Sequence, residues 1–276
     1  MAKINSKTNI EITDGVLIPG RDDSSIFSAW RIAFYGAISS LILLLIFAPE
    51  PYRQLFKFVI GFDENWNFDF DKSGIVKTFE VTVLSIFFAL LIGLFVGLGR
   101  ISRYKAVNMV CTVYVEIIRG IPLLVQLFYI YYALAKFVRI SDIISAVIAI
   151  AICYGAYISE IFRAGIQSIP KGQMEAALAL GLTRAQAIFR IILPQTLKVV
   201  LPPIGNEFIA LLKDSSLVSI LAVSDLLRRG REFASISFDY FETYTLIAVI
   251  YLIMTLFFSR LVAIMEERMK TDAKQG

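Results

Sequence analysis

The chain has 276 residues, of which 57% are hydrophobic, and its mean hydropathy of +0.71 excludes an ordinary soluble domain. The net charge of +4 does not indicate a nucleic-acid-binding protein, and the absence of histidine excludes imidazole proton relays and histidine-ligated metals. The two cysteines, Cys111 and Cys153, lie in or at the edge of apolar segments, which favours small buried hydrophobic residues over a disulfide or a metal site.

Apolar segments long enough to cross a bilayer recur along the chain. Five of them run for about sixteen to nineteen residues without a charge, close to the length that spans the hydrocarbon layer. They are 32–49, 81–99, 120–135, 143–159 and 243–259. A sixth, 199–224, is as apolar but contains Glu207, Lys213 and Asp214. We therefore predict an all-α integral membrane protein with six transmembrane helices.

The distribution of positive charge predicts the orientation of these helices. Lysine and arginine accumulate on the cytoplasmic side of membrane proteins. If the loop 163–198 is cytoplasmic, the segments on its side of the membrane hold 16 Lys and Arg residues, and those on the other side hold 8. This bias predicts that both termini are cytoplasmic.

The N-terminal part, residues 1–73, is predicted to comprise a cytoplasmic tail, one transmembrane helix and an extracytoplasmic loop. The loop is rich in Phe, Asp and Asn, and the aromatic residues around Trp66 are typical of a membrane–water interface. From Gly74 onward the connections between predicted helices are short.

Glycine residues in helices two and three predict how these helices pack and where one of them bends. Gly93 and Gly97 form a small-xxx-small face, which predicts close packing of two membrane helices. The sequence Gly120-Ile121-Pro122 predicts a kink or a break. Just before it, Arg119 is expected to pair with Glu116 at the i, i+3 spacing. Helices four, five and six are predicted at 142–167, 195–221 and 244–265.

The segment between helices four and five reads as a hairpin of two short helices. Residues 171–180 suit a helix with small side chains, and Gly181 is a natural left-handed stop. Thr183, with Gln186 three residues later, forms a capping box that begins a second helix. Pro194 marks where that helix must bend or restart. By composition alone, an ordinary amphipathic hairpin at the membrane surface would explain these features.

Charged residues inside predicted membrane helices are costly and usually face a cavity or a partner. In helix five, Glu207 and Asp214 are seven residues apart, as are Asn206 and Lys213, so each pair shares a helix face. Asp214 is suited to the ammonium of a zwitterionic amino acid, and Lys213 or the following hydroxyls to its carboxylate. The candidate substrate-path residues are Gln126, Glu160, Asn206, Glu207, Lys213, Asp214, Ser215 and Ser216. The alternatives are a structural ion pair between Glu160 and Arg163, and a polar hinge in helix five whose charges satisfy each other.

A catalytic centre is not indicated. The chain contains no GxxxxGK[ST] loop for a nucleotide phosphate. ATP hydrolysis is therefore not expected in this polypeptide, which is predicted not to be an enzyme and to hold no metal.

The hairpin also matches a family signature: Glu-Ala-Ala, three residues, Gly, nine residues, then Ile-x-Leu-Pro. The matching residues are Glu175, Ala176, Ala177, Gly181, Ile191, Leu193 and Pro194. Further matching strings are 78–82, 119–126, 156–166, Asn206-Glu207 and 213–217. On these residues, the chain from about 74 to 270 resembles permeases of the polar amino-acid ABC importers, the histidine/glutamine/glutamate type.

The resemblance implies a type I ABC-importer permease core of five transmembrane helices in residues 74–270, with a coupling-helix loop at 167–196 and a C-terminal tail at 271–276. The helix in residues 1–73 is extra to that core. The loop is then expected to dock onto an ATP-binding subunit dimer that holds ATP and Mg. The other expected partners are a second permease copy or a sister permease, an extracytoplasmic amino-acid-binding protein, the amino-acid substrate and membrane lipid, with no nucleic acid. The location implied is the bacterial cytoplasmic (inner) membrane.

Three arginines, Arg228, Arg229 and Arg231, fall on the side predicted to be extracytoplasmic, against the charge bias. They are either a solvated basic face or a docking surface for an acidic lobe of the binding protein.

An ion-coupled secondary amino-acid carrier is the alternative function. Such carriers commonly show inverted repeats, which this sequence does not display.

Overall fold

The computed structural model describes residues 10–13, 16–19, 23–47, 51–63, 65–136 and 140–275, and nearly all of them are helical. The helical elements in chain order are α1 Asp23–Phe47, α2 Pro51–Ile60, α3 Gly74–Arg100, α4 Lys105–Gly120, α5 Leu123–Ala135, α6 Asp142–Gln167, α7 Lys171–Ala179, α8 Arg184–Ala187, a π-helical turn Ile188–Ile192, α9 Leu193–Asp214, a 3-10 segment Ser215–Leu221, α10 Leu226–Ser237 and α11 Tyr240–Gln275. An antiparallel hairpin of β1 Ile10–Thr13 and β2 Val16–Pro19 lies in the predicted N-terminal tail. The all-α prediction is therefore confirmed apart from this small hairpin.

The number of membrane spans also agrees with the prediction. Within the described residues, five helices are long and apolar enough to cross a bilayer: Ala29–Ile46, Gly74–Arg100, Asp142–Gln167, Arg184–Leu221 and Tyr240–Met269. Counted as one span, the pair of α4 and α5 meets the same test and is the sixth, with a bend of 105° between its two halves. The glycine–proline signal therefore produces a full break rather than a gentle kink.

Helix ends differ from the prediction in two places. Helix five was expected to run without interruption over 195–221, but α9 ends at Asp214 and the chain continues as a 3-10 segment. Helix six was expected to end near Met265, but α11 continues to Gln275 through most of the predicted C-terminal tail. The polar end of α11 is helical because nothing after Met265 interrupts it: the segment 266–275 contains no glycine or proline.

The centre of the bundle is the contact between α3 and α6. A methyl group on Gly93 would lie 2.5 Å from Cγ2 of Ile158, and one on Gly97 would lie 2.9 Å from the carbonyl oxygen of Ser159. The two helix backbones can approach this closely only because neither glycine carries a side chain. The predicted small-xxx-small face is therefore confirmed, and its partner is α6.

A second apolar cluster joins the N-terminal part to the rest of the chain. Leu55 and Val59 of α2 are fully buried in one cluster with Leu226 of α10 and Leu246 of α11. Along the membrane span, the Trp30 indole of α1 donates a 2.9 Å hydrogen bond to the carbonyl of Leu256. The extra helix thus packs on α11, and α2 packs on α10 and α11.

Candidate functional site

The break between α4 and α5 is held by one buried amide. Pro122 has no backbone N–H, so the carbonyl of Ile118 loses its usual helical partner. Gln126 is 5% exposed, and its Nε2 donates to the carbonyl oxygens of Ile118 at 2.8 Å and Ile121 at 2.7 Å. The side chain therefore folds back over the break and fixes its angle.

A polar cavity of about 430 Å³ opens beside this break. Its volume falls within the range of about 300–1,000 Å³ that is usual for small-ligand pockets. The break forms one wall, α6 the second and α9 the third. The lining residues are Arg119, Gly120, Ile121, Pro122, Leu123, Cys153, Tyr154, Tyr157, Glu207, Ala210 and Asp214.

Two carboxylates and one guanidinium line this cavity. The Tyr154 hydroxyl donates a 2.8 Å hydrogen bond to Oδ2 of Asp214, which fixes that carboxylate. The Arg119 guanidinium lies 5.2 Å from the ring centre of Tyr157, and Arg119 lines the same cavity as Glu207. Guanidinium groups donate well to carboxylates, and carboxylates accept from ammonium groups. The lining therefore matches both charged ends of a zwitterion.

The cavity contains two of the eight predicted substrate-path residues, Glu207 and Asp214. They share one face of α9, as their spacing predicted. Asn206 and Lys213 precede them by one residue each and are exposed elsewhere on the helix. A step of one residue turns a helical side chain by about 100°, so both miss the cavity.

The remaining predicted path residues have other neighbours. Ser215 is buried and donates to the carbonyl of Leu212 at 2.8 Å. Ser216 lies in the 3-10 segment, outside the cavity lining. Gln126 holds the break, and Glu160 lies in an ion cluster. The prediction from sequence missed the contributions of Arg119, Tyr154 and Tyr157, although Arg119 was recognisable as a cation beside a glycine–proline break.

The ion cluster gathers three arginines around Glu160. Its carboxylate accepts from Arg100, accepts from Nε of Arg163 at 2.8 Å, and lies 3.4 Å from Nη1 of Arg119. The alternative of a structural pair with Arg163 is therefore the observed arrangement, and Arg119 contacts Glu160 instead of the expected Glu116. Arg119 also lines the cavity, so it is shared between the cluster and the cavity. The other two arginines compensate the charge of Glu160 without it.

The hairpin between α6 and α9 has the predicted caps. Gly181 has a φ of 82°, and the N–H groups of Gly181 and Leu182 donate to the carbonyls of Leu178 and Ala177, which together form a Schellman motif. Thr183 and Gln186 form both hydrogen bonds of the capping box. The second helix was expected to run to Pro194; it becomes π-helical after Ala187, and Pro194 lies in the first turn of α9.

The surface of this hairpin is unusually apolar for a polar loop. Leu180 is 82% exposed and Phe189 is 69% exposed, while Glu175 and Ala176 are also exposed. Ala177 is buried and packs inside the hairpin. Exposed apolar side chains that lie together commonly mark a protein–protein contact. Leu180 and Phe189 were not singled out from the sequence.

The three arginines of α10 do not form one free basic face. Arg229 donates to the carbonyl of Phe58 at 3.0 Å and covers the Phe58 ring at 3.9 Å. Arg228 donates to Glu232 at 2.8 Å. Arg231 is exposed. Arg229 therefore fastens α10 to α2, which leaves Arg231 as the most accessible of the three.

Comparison with known proteins identifies clear relatives. The profile of the family described as "Binding-protein-dependent transport system inner membrane component" matches residues 89–271. The chain is 42% identical over 198 residues to the L-cystine transport system permease protein TcyB of Bacillus subtilis (strain 168), covering 71% of this chain and 85% of that protein. It is 42% identical over 200 residues to the glutamine transport system permease protein GlnP of Escherichia coli (strain K12), covering 71% of this chain and 91% of that protein. A solved amino acid ABC transporter crystallised with histidines contains a chain with 44% identity and a TM-score of 0.67, covering 71% of this chain and 92% of that chain.

A substitution of Gln126 can test whether this residue stabilises the break rather than lines the substrate path. Gln126→Leu leaves the carbonyls of Ile118 and Ile121 unpaired, which should cost about 1–3 kcal/mol and lower the melting temperature of the purified protein. Gln54→Leu, at an exposed position of α2, is the matched control and should leave it unchanged. Equal melting temperatures for the two variants would contradict the assignment.

Proposed function

This chain belongs to the family of binding-protein-dependent transport system inner membrane components, and from that membership we propose that it is the permease subunit of an ATP-driven importer of polar amino acids. The observation that carries the proposal is the capped hairpin 171–194, whose form suits docking and which a carrier without an ATPase does not need. Membership of this family excludes the alternative of an ion-coupled secondary carrier.

The names of the relatives support the substrate class. TcyB is a permease for L-cystine and GlnP a permease for glutamine, and both amino acids are polar zwitterions. The cavity of this chain offers charges of both signs to such a molecule. We therefore assign to this chain a polar amino acid as substrate.

The hairpin is the proposed contact with the ATP-binding subunit, which holds ATP and Mg. Glu175, Leu180 and Phe189 project from it as one acidic and two apolar contacts. Each permease offers a single hairpin. A dimer of ATP-binding subunits therefore requires two permeases, either two copies of this chain or this chain and a sister.

Substrate is proposed to pass through the cavity by alternating access. Arg119 takes the α-carboxylate of the amino acid, the role first expected of Lys213, and Asp214 with Glu207 takes the α-ammonium. An unpaired charge at membrane depth costs several kcal/mol, so fixed countercharges are needed for a zwitterion to enter.

The remaining proposals concern orientation. The hairpin and both termini lie on the cytoplasmic side of the inner membrane, in accord with the charge bias. The extracytoplasmic binding protein docks over α10, where Arg231 offers an accessible positive charge to an acidic lobe.

Uptake into proteoliposomes tests the function directly. Vesicles that contain this permease, its ATP-binding subunit and enclosed ATP should accumulate labelled amino acid only when the binding protein is added outside. Competition by a panel of unlabelled amino acids then identifies the substrate. Uptake driven by an ion gradient without ATP would overturn the proposal.

Asp214 tests the substrate path. Asp214→Asn removes the negative charge but keeps a group that Tyr154 can bond, so we expect the KM for uptake to rise about tenfold or more, from the loss of a charged hydrogen bond worth about 1.5–3 kcal/mol. Complex recovery and basal ATP hydrolysis should stay close to wild type. Lys213→Gln, on the neighbouring exposed position, is the control and should transport normally. Disassembly of the Asp214→Asn complex would support the polar-hinge alternative instead.

Gly181 tests the docking loop. Its φ of 82° strains a β-branched residue, so Gly181→Val should distort the hairpin and abolish coupled uptake while leaving membrane abundance normal. Gly181→Asn is the matched control, since asparagine tolerates the left-handed region and should retain most uptake. Normal uptake by Gly181→Val would remove Gly181 from the docking assignment.

A further inference from the structure

Residues 51–73 form a small unit that lies before the part of the chain matched by the family profile, which begins at residue 89. The described part of the unit consists of α2 and a hairpin of residues 61–63 and 65–70. It connects the end of the first membrane span, Ile46, to the start of the next, Gly74. Its position is therefore the end of the bundle opposite the coupling hairpin.

The unit is firmly held to the bundle through α2. Tyr52, Leu55 and Val59 are buried on one face of that helix. On α10, Arg229 covers the Phe58 ring and donates to the Phe58 carbonyl. These contacts use the whole apolar face of α2, so the aromatic residues of the hairpin are not needed to attach it.

The hairpin is ordered by its own turn. Phe62 and Phe68 form an antiparallel bridge, and Asp63 accepts hydrogen bonds from the side-chain amide of Asn67 at 2.9 Å and from its backbone N–H at 2.7 Å. These bonds hold the pKa of the Asp63 carboxyl below its usual value. Trp66 within the turn has a φ of 63°, a conformation that bulky residues adopt only at a cost.

Trp66 thus puts a large aromatic side chain at a backbone position where glycine would be preferred. The Trp66 ring is 54% exposed, and Phe68 and Phe70 beside it are 39% and 68% exposed. Phe62 joins these rings, with centroids 5.5 Å from Trp66 and from Phe68. A strained turn that presents an exposed aromatic ladder points to a binding surface.

The surroundings of this ladder identify its occupant. Lys57 stacks over Trp66 at 4.1 Å, Lys72 pairs with Asp69 at 3.2 Å, and Asp63 lies in the same turn, so charged groups of both signs border the aromatic rings. Phe238, Phe241 and Tyr244 are exposed at the same end of the bundle, where α11 begins. Exposed aromatic rings bordered by charged groups at the ends of membrane spans have the chemistry of the headgroup layer.

We propose that Trp66, Phe68 and Phe70 insert into the phospholipid headgroup layer and anchor residues 51–73 to the bilayer. Since Arg229 of α10 binds Phe58 of α2, the anchor also fixes the depth of α10 relative to the membrane. The lysines remain at the level of the lipid phosphates.

Tryptophan fluorescence tests this anchor because the chain contains only two tryptophans, Trp30 and Trp66. In a Trp30→Phe background, Trp66 is the only tryptophan of this chain, and subtracting the emission of the same nanodisc complex that carries both Trp30→Phe and Trp66→Gly removes the signal of the other proteins. Phospholipids brominated near the headgroup should quench most of this emission, lipids brominated near the chain ends should quench little, and aqueous iodide should quench weakly.

Two outcomes would overturn the anchor. Strong quenching by iodide with none by either brominated lipid would place Trp66 in water. Loss of iodide quenching only after the purified binding protein is added would make that protein the occupant.

A second variant tests the anchor without Trp30→Phe, in case that substitution disturbs the fold. Trp66→Gly relieves the left-handed strain, so its melting temperature should equal or exceed that of wild type, and the difference spectrum between the two proteins again isolates Trp66. A difference spectrum that shallow-brominated lipids do not quench would also refute the proposal.

Discussion

Every polar backbone group and every charge within the bilayer must find a partner in the protein itself, and this constraint determines where the helices of the bundle can break. At the break between α4 and α5, Gln126 pairs with two carbonyls: that of Ile118, whose helical donor would have been Pro122, and that of Ile121. At the other end of the bundle, the hydroxyl of Thr78 in α3 accepts the first N–H of α10, that of Leu226. At both of these places, one buried side chain replaces a lost helical bond.

The sequence correctly predicted those structural features that depend only on residues close together in the chain. Charge-free runs predicted the spans, and the left-handed glycine at 181 and the box at Thr183 predicted both hairpin caps, because each depends on residues within one turn. The cavity was harder to predict, since it depends on which side of α9 faces α6. Spacing grouped Glu207 with Asp214 and Asn206 with Lys213, but only tertiary packing determines which pair is enclosed. Arg119 was missed for the same reason: its neighbours Glu160 and Tyr157 are about forty residues away in sequence.

The hairpin 171–194 and the cavity are connected directly by two helices, α6 and α9. α6 carries Tyr154 of the cavity and ends at Gln167, just before the hairpin, while α9 leaves the hairpin and reaches Asp214. Next to the hairpin these helices are tightly packed, since a methyl group on Gly165 would lie 2.2 Å from Cγ1 of Val200. If the hairpin docks as proposed, its displacement would therefore move two cavity walls together. The hydrogen bond between Tyr154 and Asp214 connects these same walls at the cavity.

The third wall is connected differently. The break at Gly120–Pro122 contacts α6 through Arg119, whose guanidinium lies near Glu160 on one side and the cavity carboxylates on the other. In the proposed binding mode, a substrate carboxylate that enters the cavity would compete with Glu160 for this guanidinium. Because Arg100 and Arg163 continue to compensate Glu160, Arg119 can turn toward the substrate without leaving a buried charge unpaired. On this proposal, the surplus of arginine around one glutamate would make the wall that carries Arg119 responsive to the charge of the substrate, while the Gln126 bonds preserve the shape of the break.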